Sequence, residues 1–431
     1  MNRTRQLRPL YLACAAAIMA VPGLGHASGF AIPENSIAGL GMANALVANT
    51  SELGAITYNP AAASFHPGAT LSAGLMLLHP TLEVTTTAGT FQSQGPDKVF
   101  APMLQGSYQL NDSLTLGLGV TAPFGLETEW PLGTFPGLSS YDPDGPNGLG
   151  PAPTYGYIQP GALQTTRSKL EVLQTSPTLS MRLSPEAAVA VGLDYFMVRE
   201  VVFDSAASTT KGDGDGWGWN AAFLYAQGPW SVGASYHAKA SVDVSGTSTL
   251  TTGVGTSTAA ATADVPLPWR AQLGARYQAS KQLALEFDIT RTGWSEFDVL
   301  TIHGVSTTVS TNNWKDANAY RLGGTYELTP ATQLRFGYSY DTTGQPDSYF
   351  SARIPDADRH LLSIGFGHDL GDGLMVEAGY MYVHFMERSF QGATAYPVAP
   401  SGAVDPNGTT AYNGSYKADV HLLGIGVSKR F

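Results

Sequence analysis

The sequence predicts an all-β fold, a 14-stranded antiparallel transmembrane β-barrel, and three observations lead to it. Stretches of alternating apolar and small or polar residues recur from Gly68 to Phe431, and the connections between them are alternately short and long. Although 43% of the residues are apolar, no window beyond the N-terminus offers the roughly 18 consecutive apolar residues of a spanning helix. Because lipid offers no partner for a free backbone N–H, strands can cross it only as a closed barrel.

The alternation is clearest in residues 187–203, 283–291 and 334–341. A period of two places the apolar set on one face of each strand and the polar or small set on the other. Aromatic residues keep to the apolar parity, at Tyr108, Trp217, Trp219, Tyr225, Trp230, Tyr236, Trp269, Tyr277, Tyr320, Tyr326, Tyr380 and Tyr382. Trp and Tyr prefer the headgroup zone, which favours a membrane barrel over a soluble sandwich whose apolar faces pack together.

The connections predict the barrel's orientation. Short turns are predicted at 111–112, 184–186, 227–229, 280–281, 329–331 and 371–373. Long loops are predicted at 85–98, 131–166, 208–216, 251–262, 305–312, 344–359 and 391–414. Short periplasmic turns opposite long external loops are typical of outer-membrane barrels, and an even strand number brings both barrel ends to the periplasmic side. We therefore assign residues 68–431 to the barrel.

The first 27 residues predict a signal peptide. Three arginines precede the apolar run 10–21, and Gly25-His26-Ala27 offers a small-x-small cleavage site. Removing residues 1–27 takes away three arginines and no acid, so the net charge changes from −11 to −14. It also removes Cys14, the only cysteine, so the exported chain carries no disulfide.

The last strand predicts how the barrel reaches its membrane. It ends on Phe431, with Leu423, Ile425 and Val427 on the same parity and Lys429 interrupting the apolar set. A terminal Phe after alternating apolar residues resembles the signal read by the outer-membrane assembly machinery of bacteria. We expect that machinery, the lipid bilayer and lipopolysaccharide as partners of a monomer in the bacterial outer membrane.

Several function classes are excluded. The acidic balance argues against nucleic acid as a partner. No HExxH, GxSxG or Walker sequence occurs. Asp213-Gly214-Asp215-Gly216 hints at calcium, but Leu224 stands where a bidentate acid would be needed. We expect no cofactor, no metal and no enzyme activity.

Residues 28–67 do not alternate and predict a compact, irregular segment. Ser36 can cap a short helix through Ile37 and Leu40, which Gly39 and Gly41 weaken. A fourteen-stranded barrel is too wide for its own side chains to fill. Unless the barrel is an open porin, this segment is the candidate of suitable size for a plug.

Short motifs support this interpretation: Ser28-Gly29-Phe30, Glu34, Ser36, Gly39-Leu40-Gly41, Tyr58-Asn59-Pro60-Ala61-Ala62, Thr121–Leu126 with Glu129-Trp130, and Ser176–Ser180. Together they resemble the long-chain fatty-acid transporter family of the FadL/TodX type. The resemblance implies a fourteen-stranded outer-membrane barrel, an N-terminal hatch at 28–67 and passive uptake of hydrophobic molecules. Met42 stands where the family usually has a basic residue, and 44–49 lacks the family's Gly and acidic residue, so local hatch contacts should differ.

Pro123 and Gly125 interrupt the third strand. Proline removes a ladder donor and glycine weakens the strand, so Pro123 either ends the strand at its extracellular rim or kinks it inward. In the family this strand is kinked, and a lateral opening faces the hatch's Asn-Pro-Ala. The resemblance therefore implies a gate formed by two triplets, Asn59, Pro60 and Ala61 on the hatch and Pro123, Phe124 and Gly125 on the strand.

The loop 131–163 is unusually apolar for an exposed segment. It either packs on other loops to cap the barrel or forms an outer collection site for an oily ligand. Its candidate ligand contacts are Phe135, Leu138, Tyr155, Tyr157 and Ile158. By resemblance, Phe30 near the mature N-terminus reaches the pocket inside the barrel.

Parity places eleven charged residues inward: Arg182, Asp194, Arg270, Arg276, Glu286, Asp288, Arg321, Glu327, Arg335, Asp341 and Glu377. Most should pair with one another along a wet wall. Guanidinium groups suit bidentate carboxylate binding, so Arg182, Arg270 and Arg321 are candidates to receive a ligand carboxylate.

These features predict an outer-membrane channel for hydrophobic compounds, with long-chain fatty acids ahead of aromatic hydrocarbons. A fatty acid needs an arginine near an apolar pocket, whereas a hydrocarbon needs only the pocket. A general porin and an outer-membrane lipid hydrolase are the alternatives. The plug-like 28–67 segment and the apolar 131–166 loop speak against the porin, and no Ser/His/acid set can be assembled for the hydrolase.

Overall fold

The computed structural model describes residues 29–139, 164–252, 255–396 and 405–431, and within these ranges the chain forms a closed antiparallel barrel of fourteen strands. In chain order they are β1 (Ala69–Thr86), β2 (Val99–Gln109), β3 (Leu114–Glu129), β4 (Thr165–Arg182), β5 (Ala187–Ser205), β6 (Ser208–Gln227), β7 (Trp230–His237 and Ala240–Thr252), β8 (Gly255–Leu267 and Arg270–Gln278), β9 (Leu283–Thr292 and Val299–His303), β10 (Thr308–Thr311 and Ala317–Thr329), β11 (Thr332–Asp341), β12 (Arg359–Asp369), β13 (Leu374–Phe385 and Arg388–Phe390) and β14 (Gly414–Arg430). A short strand, Gly89–Gln92, folds back on β1. The barrel closes where β1 pairs with β14, from Thr70↔Arg430 to Thr85↔Ser415. The predicted fold class is confirmed.

The predicted parity describes the barrel wall well. In β5, Asp194 is fully buried, whereas Val191 and Leu193 are 61% and 54% exposed on the outer face. The same holds in β14, where Leu423, Ile425 and Val427 are exposed. An outward apolar band of this kind is the surface that lipid covers. The predicted signal peptide, residues 1–27, lies outside the described residues.

Three predicted loops are wrong in extent. Residues 208–216 belong to β6, most of 251–262 belongs to β7 and β8, and β10 begins at Thr308 inside the predicted loop 305–312. Small polar residues there continue the sheet beyond the apolar band, and Thr249 and Thr258 hydrogen-bond across β7 and β8 at 3.1 Å. Cross-strand pairs of this kind stabilise a sheet without apolar alternation.

Four consecutive strands are interrupted part-way, and the interruptions position aromatic side chains. β7 breaks at 238–239, β8 at 268–269, β9 at 293–298 and β10 at 312–316. A 3₁₀-helix, Trp294–Glu296, fills the break in β9. Trp294, Phe297 and Trp314 from these breaks are buried in one cluster inside the barrel.

The N-terminal segment, residues 29–67, lies inside the barrel. It contains helix α1 (Ile37–Gly41) and 3₁₀-helices at Leu53–Thr57 and Pro60–Phe65. The Ser36 hydroxyl caps α1 by accepting from the Gly39 N–H at 3.0 Å. α1 packs against β11–β14, and Pro60–Phe65 packs against β3–β6. This segment therefore contacts opposite sides of the wall.

The remaining described helices are short. Helix α2 (Pro136–Ser139) and 3₁₀-helices at Asp347–Tyr349 and Thr410–Tyr412 lie in the loops. No helix among the described residues is long and apolar enough to cross a membrane.

Candidate functional site

The barrel wall has an opening between β2 and β3. The two strands pair only from Leu104↔Val120 to Gln109↔Thr115. Beyond that point, Val99–Met103 of β2 pair with β1 and Thr121–Glu129 of β3 pair with β4, and no β2–β3 pair forms among the described residues. We call this opening the window.

Pro123 lies at the window and does not end its strand. β3 continues to Glu129, and its register against β4 slips between Thr121 and Phe124. The interpretation in which Pro123 only terminates the strand at the rim is therefore wrong. Above the window the wall closes again, because the Gln94 N–H donates to the Glu129 carbonyl at 2.7 Å. Proline cannot donate to a ladder, and the register slip at this site is consistent with that loss.

The N-terminal segment pairs with the free edge of β3. The Ile32 N–H donates to the Pro123 carbonyl at 2.8 Å, and the Gly125 N–H donates to the Phe30 carbonyl at 3.0 Å. Ala31 thus forms an antiparallel bridge with Phe124. A Cβ on Gly125 would meet the terminal methyl group of Ile32 at 2.8 Å, so a larger residue here would force the Ile32 side chain to shift.

A cavity of about 520 Å³ lies behind the window. Its walls are mostly apolar and include Phe30, Ile32, Leu78, Leu82, Phe124, Leu126, Leu170, Val172, Ile354, Val383, Phe385 and Leu422. Ala101 faces inward and its neighbour Phe100 faces outward, with 60% exposure, yet both line the cavity. The cavity therefore extends through the wall to the outer face.

Aromatic rings close the cavity toward the barrel interior. Phe30 lies 6.0 Å from Phe124, 4.5 Å from Trp294 and 5.5 Å from Phe297, measured between ring centroids. Edge-to-face contacts of this kind add to the energy of apolar burial. Phe30 was predicted to reach the internal pocket, and the structure places it in the cavity wall. Trp294 and Phe297 were not predicted from the sequence, because the break in β9 brings them inward.

One cation in the cavity wall was missed by the sequence analysis. Arg359, the first residue of β12, lines the cavity and lies 3.4 Å from Asp341. Its Nε has no hydrogen-bond partner among the described residues, and its guanidinium lies 5.4 Å from the Phe385 ring centre. Arg359 shares the inward parity of Leu361 in β12, a signal that could have revealed it.

Two predicted arginines lie in a second, smaller chamber of about 40 Å³. Arg270 and Arg321 line it with Tyr58 and His237, and Phe124 belongs to the walls of both spaces. Arg321 donates to Thr290 and lies 3.7 Å from Asp341. The Nε atoms of both arginines lack a partner among the described residues. Two cations therefore lie beyond the Phe124 ring.

Arg182 lies elsewhere. It donates to the Ser64 carbonyl at 2.9 Å and to the Pro185 carbonyl at 2.6 Å, and its guanidinium covers the Phe65 ring at 5.0 Å. These contacts tie the end of the N-terminal segment to the β4–β5 turn. Arg182 lines neither chamber, so the structure does not bring it together with Arg270 and Arg321.

The predicted loop contacts are also apart from the cavity. Phe135 and Leu138 are fully buried in a cluster with Trp130 and Tyr412, and neither lines the cavity. The described part of this loop therefore packs on other loops. Tyr155, Tyr157 and Ile158 lie outside the described residues.

The Asn-Pro-Ala triplet does not meet the kink. The Asn59 amide donates to the Val47 carbonyl at 2.7 Å and to the Phe223 carbonyl of β6 at 2.9 Å. The Ala61 carbonyl lies 3.4 Å from the Ser180 hydroxyl of β4. Pro60 packs in the same 3₁₀-helix. Within the N-terminal segment, the residues that contact Pro123, Phe124 and Gly125 are instead Phe30, Ala31 and Ile32.

Buried charges hold the N-terminal segment to the wall. Arg335 of β11 lies 2.8 Å from both Glu52 and Glu377. Burial is the largest influence and opposes ionisation of Glu52, but the Arg335 charge together with the hydrogen bonds from Arg335 and Gln333 outweighs it, so the pKa of Glu52 is lowered. Burial raises the pKa of Glu34, which lies in the cavity wall.

Two acids of β9 bind the backbone of the same segment. Asp288 accepts from the Val47 N–H at 3.0 Å, and Glu286 accepts from the Ala48 N–H at 2.6 Å. Both carboxylates belong to the predicted inward set. Of that set, Glu327 is exposed and Arg276 is half-buried, because they lie near the periplasmic end of the wall. No cluster of His, Cys, Asp and Glu able to hold a metal ion occurs among the described residues.

The sequence of this fourteen-stranded barrel, with its internal N-terminal segment, matches a known protein family. The family described as outer membrane protein transport protein (OMPP1/FadL/TodX) matches residues 18–140 and 149–431. The chain belongs to this family. It is therefore a transport protein of the bacterial outer membrane, and it is not an enzyme.

Individual relatives are distant but match over nearly their whole length. The chain is 25% identical to the "Long-chain fatty acid transport protein" of Escherichia coli O6:H1, covering 90% of this chain and 95% of that one. It is 24% identical to the "47 kDa outer membrane protein" of Pasteurella multocida, covering 91% and 95%.

Solved structures share the fold. A Pseudomonas aeruginosa FadL homologue superposes with a TM-score of 0.76 at 18% identity, over 94% of this chain and all of the other. The toluene transporter TodX of P. putida gives a TM-score of 0.67 at 18% identity, over 92% and 98%.

Proposed function

We propose that this transport protein takes up hydrophobic compounds, with long-chain fatty acids as its main substrates, and releases them sideways through the window into the membrane. The observation that carries the proposal is the cavity, whose walls include both inward and outward residues of β2. An oily molecule in this cavity meets lipid without first crossing the periplasm.

The size and chemistry of the cavity suit such a substrate. Its volume of about 520 Å³ lies within the range of about 300–1,000 Å³ of small-molecule sites. Transfer of each CH₂ group from water to an apolar wall stabilises by about 0.8 kcal/mol. A similar environment on the lipid side lets the molecule leave without an energy source, so uptake is passive.

The N-terminal segment serves as the hatch in this proposal. Its residues 30–32 occupy the free edge of β3, and its helices contact opposite walls. Movement of Phe30–Ile32 away from Pro123–Gly125 would join the cavity to the smaller arginine chamber, because Phe124 separates the two. Pro60 and its neighbours act as a fixed support against β4–β6 rather than as the moving part.

Arg359 is the proposed receptor of a fatty-acid carboxylate. It lies in the wall of the apolar cavity with an Nε that has no partner among the described residues, and guanidinium binds carboxylates through paired N–H donors. Arg270 and Arg321 would receive the same group after it passes Phe124. Arg182 is engaged by carbonyls of the N-terminal segment and the β4–β5 turn.

Aromatic hydrocarbons are a second candidate. The Phe30 ring lies in the cavity wall, and Trp294, Phe297 and Trp314 pack behind it. A hydrocarbon would use these rings without needing a cation. Dependence of binding on Arg359 therefore separates the two substrate classes.

The test uses purified protein and both ligand types. Arg359→Gln should weaken binding of a long-chain fatty acid about tenfold, the scale of one lost charge-assisted bond, and leave toluene binding unchanged. Arg199→Gln is the matched control, because Arg199 is an exposed cation at the same cavity, 3.0 Å from Glu171. Equal fatty-acid binding by Arg359→Gln would contradict the carboxylate site. A deletion strain that grows normally on fatty acids and on toluene would contradict uptake of both classes.

A further inference from the structure

Four of the nine histidines lie side by side on the outer face of the barrel. His79 of β1 is the direct cross-strand partner of His421 of β14, and His360 of β12 is the partner of His384 of β13. Tyr382 and Asp419 join the two pairs, because Tyr382 opposes His421 and Asp419 opposes His384. We call the four imidazoles the histidine row.

The histidine row lies at one edge of the apolar band. Below His421 on the same face of β14 come Leu423, Ile425 and Val427. Below His360 on β12 come Leu362, Ile364 and Phe366, all exposed. Since β12 and β14 enter the barrel from their extracellular loops, the row marks the boundary between lipid chains and headgroups of the outer leaflet.

Each ring is fixed through the same nitrogen. The Nδ1 atoms of His360 and His421 lie 2.8 Å from the hydroxyls of Tyr338 and Tyr380. The Nδ1 of His384 lies 2.7 Å from an Asp419 oxygen, and that of His79 meets the Asp97 carbonyl. The Nε2 atoms of all four rings have no partner among the described residues, so four imidazole edges are left for a ligand outside the protein.

The charges around the row are mixed and mostly acidic. Besides the four tyrosines Tyr338, Tyr340, Tyr380 and Tyr382, the groups that face or flank it are Glu83, Asp97, Lys98, Asp358, Glu387, Lys417 and Asp419. With neutral imidazoles the patch is therefore acidic and repels anions. A protonated imidazole carries a positive charge, and four such rings reverse the sign of the patch.

We propose that the histidine row binds the phosphate groups of the phosphorylated glycolipid in the outer leaflet, and that binding strengthens as the rings become protonated. The boundary position places the Nε2 atoms at the depth of lipid headgroups. Phosphate oxygens accept hydrogen bonds from Nε2–H, most strongly when the ring is charged. A metal site is not supported, because no metal-ligating group of three or more such side chains occurs among the described residues.

This lipid contact would also affect transport. The Asp97 carbonyl that holds His79 directly precedes Lys98 and Val99, which line the cavity at the window. A headgroup bound at His79 would lie beside the lateral opening. The glycolipid contact is independent of which compound passes through the cavity.

The experiment measures binding of diphosphorylated lipid A to the full-length protein in phosphatidylcholine nanodiscs with EDTA present. Wild type should bind lipid A at least about tenfold more tightly at pH 5.5 than at pH 8. This is the change in affinity expected from a few added positive charges at a lipid surface. Replacing all four residues (His79→Gln, His360→Gln, His384→Gln and His421→Gln) should abolish this pH dependence. His368→Gln is the matched control, since His368 borders the same apolar band at the periplasmic end of β12.

Two further measurements test whether the phosphate groups of the lipid are responsible for binding. Lipid A without phosphates should show no pH dependence with wild type, and inorganic phosphate should not compete at millimolar concentration. The proposal is overturned if the fourfold variant keeps the pH dependence, if the phosphate-free lipid shows it too, or if tight binding requires Mg²⁺ bridging to the acids. Heat-modifiable migration of the fourfold variant on gels reports that its barrel is folded.

Discussion

Arg335 shows how single residues hold the N-terminal segment in place. This fully buried guanidinium of β11 lies between Glu52 of the segment and Glu377 of β13. Gln333 also donates to Glu52. One cation thus bridges two parts of the chain far apart in sequence, and removing one partner of a buried ion pair is costly.

We predict that Glu52→Gln loosens the segment while leaving the barrel intact. Arg335 keeps Glu377, so the loss should be about 2 kcal/mol, below the roughly 3–5 kcal/mol of a fully broken buried pair. Amide hydrogen exchange in residues 53–59 should become about thirtyfold faster. Glu296→Gln is the control, because its pair with Lys239 is exposed and surface pairs contribute little.

The same contact predicts a pH dependence of segment docking. The Arg335 charge and the hydrogen bonds from Arg335 and Gln333 together outweigh burial and hold the pKa of Glu52 below its ordinary value of 4.5. A lowered pKa means that the carboxylate stabilises docking above about pH 4.5 and that this stabilisation is lost as the pH falls through the lowered value. Wild-type exchange in 53–59 should therefore approach that of Glu52→Gln only in acid. Equal exchange at neutral pH in both proteins would refute the role of Glu52.

Among the elements, β3 decides where the wall opens. Its Pro123 could not be assigned from local sequence alone, since a strand end and a kink carry the same signature. The pairing of Phe30 and Ile32 with β3 settles it as an interruption. That pairing joins residues about ninety positions apart, and no periodic pattern records it.

We predict that replacing Pro123-Phe124-Gly125 with Val-Thr-Val closes the window. The donor restored at position 123 and the β-branched side chains favour continuous pairing with β2, and a side chain at 125 displaces Ile32. Uptake of a hydrophobic substrate into vesicles should fall about tenfold or more, because the substrate loses its lateral exit through the window. Heat-modifiable migration on gels should show an intact barrel.

A proline elsewhere in the wall provides the control for that change. Pro266 of β8 pairs with Ser241 in an unbroken part of the ladder, so Pro266→Val should leave uptake unaltered. Normal uptake through the Val-Thr-Val protein would show that the substrate does not use the window.

At the scale of the whole molecule, the alternation of apolar and polar residues predicted the strands of the wall better than the arrangement of residues inside the barrel. Strands such as β5 and β14 follow parity because one face meets lipid and the other does not. The extensions of β6–β8 were missed because they consist largely of Gly, Ser and Thr, which give no apolar alternation. Arg270 and Arg321 were predicted inward by parity, yet the Phe124 ring that divides their chamber from the cavity of Arg359 is held by contacts with Phe30 and Trp294, which side-chain periodicity does not encode.

The segment inside the barrel yields the last prediction. Without residues 29–62 the fourteen-stranded wall encloses a space too wide for its side chains to fill. Asp288, Glu286 and Arg335 then lose their partners in the segment, which water replaces. The deletion should convert a channel closed to small polar solutes into one with a large, steady conductance in planar bilayers. Deleting residues 87–92, a hairpin outside the wall, is the control and should leave conductance low. An unaltered conductance after deletion of 29–62 would mean that extracellular loops, rather than this segment, close the barrel.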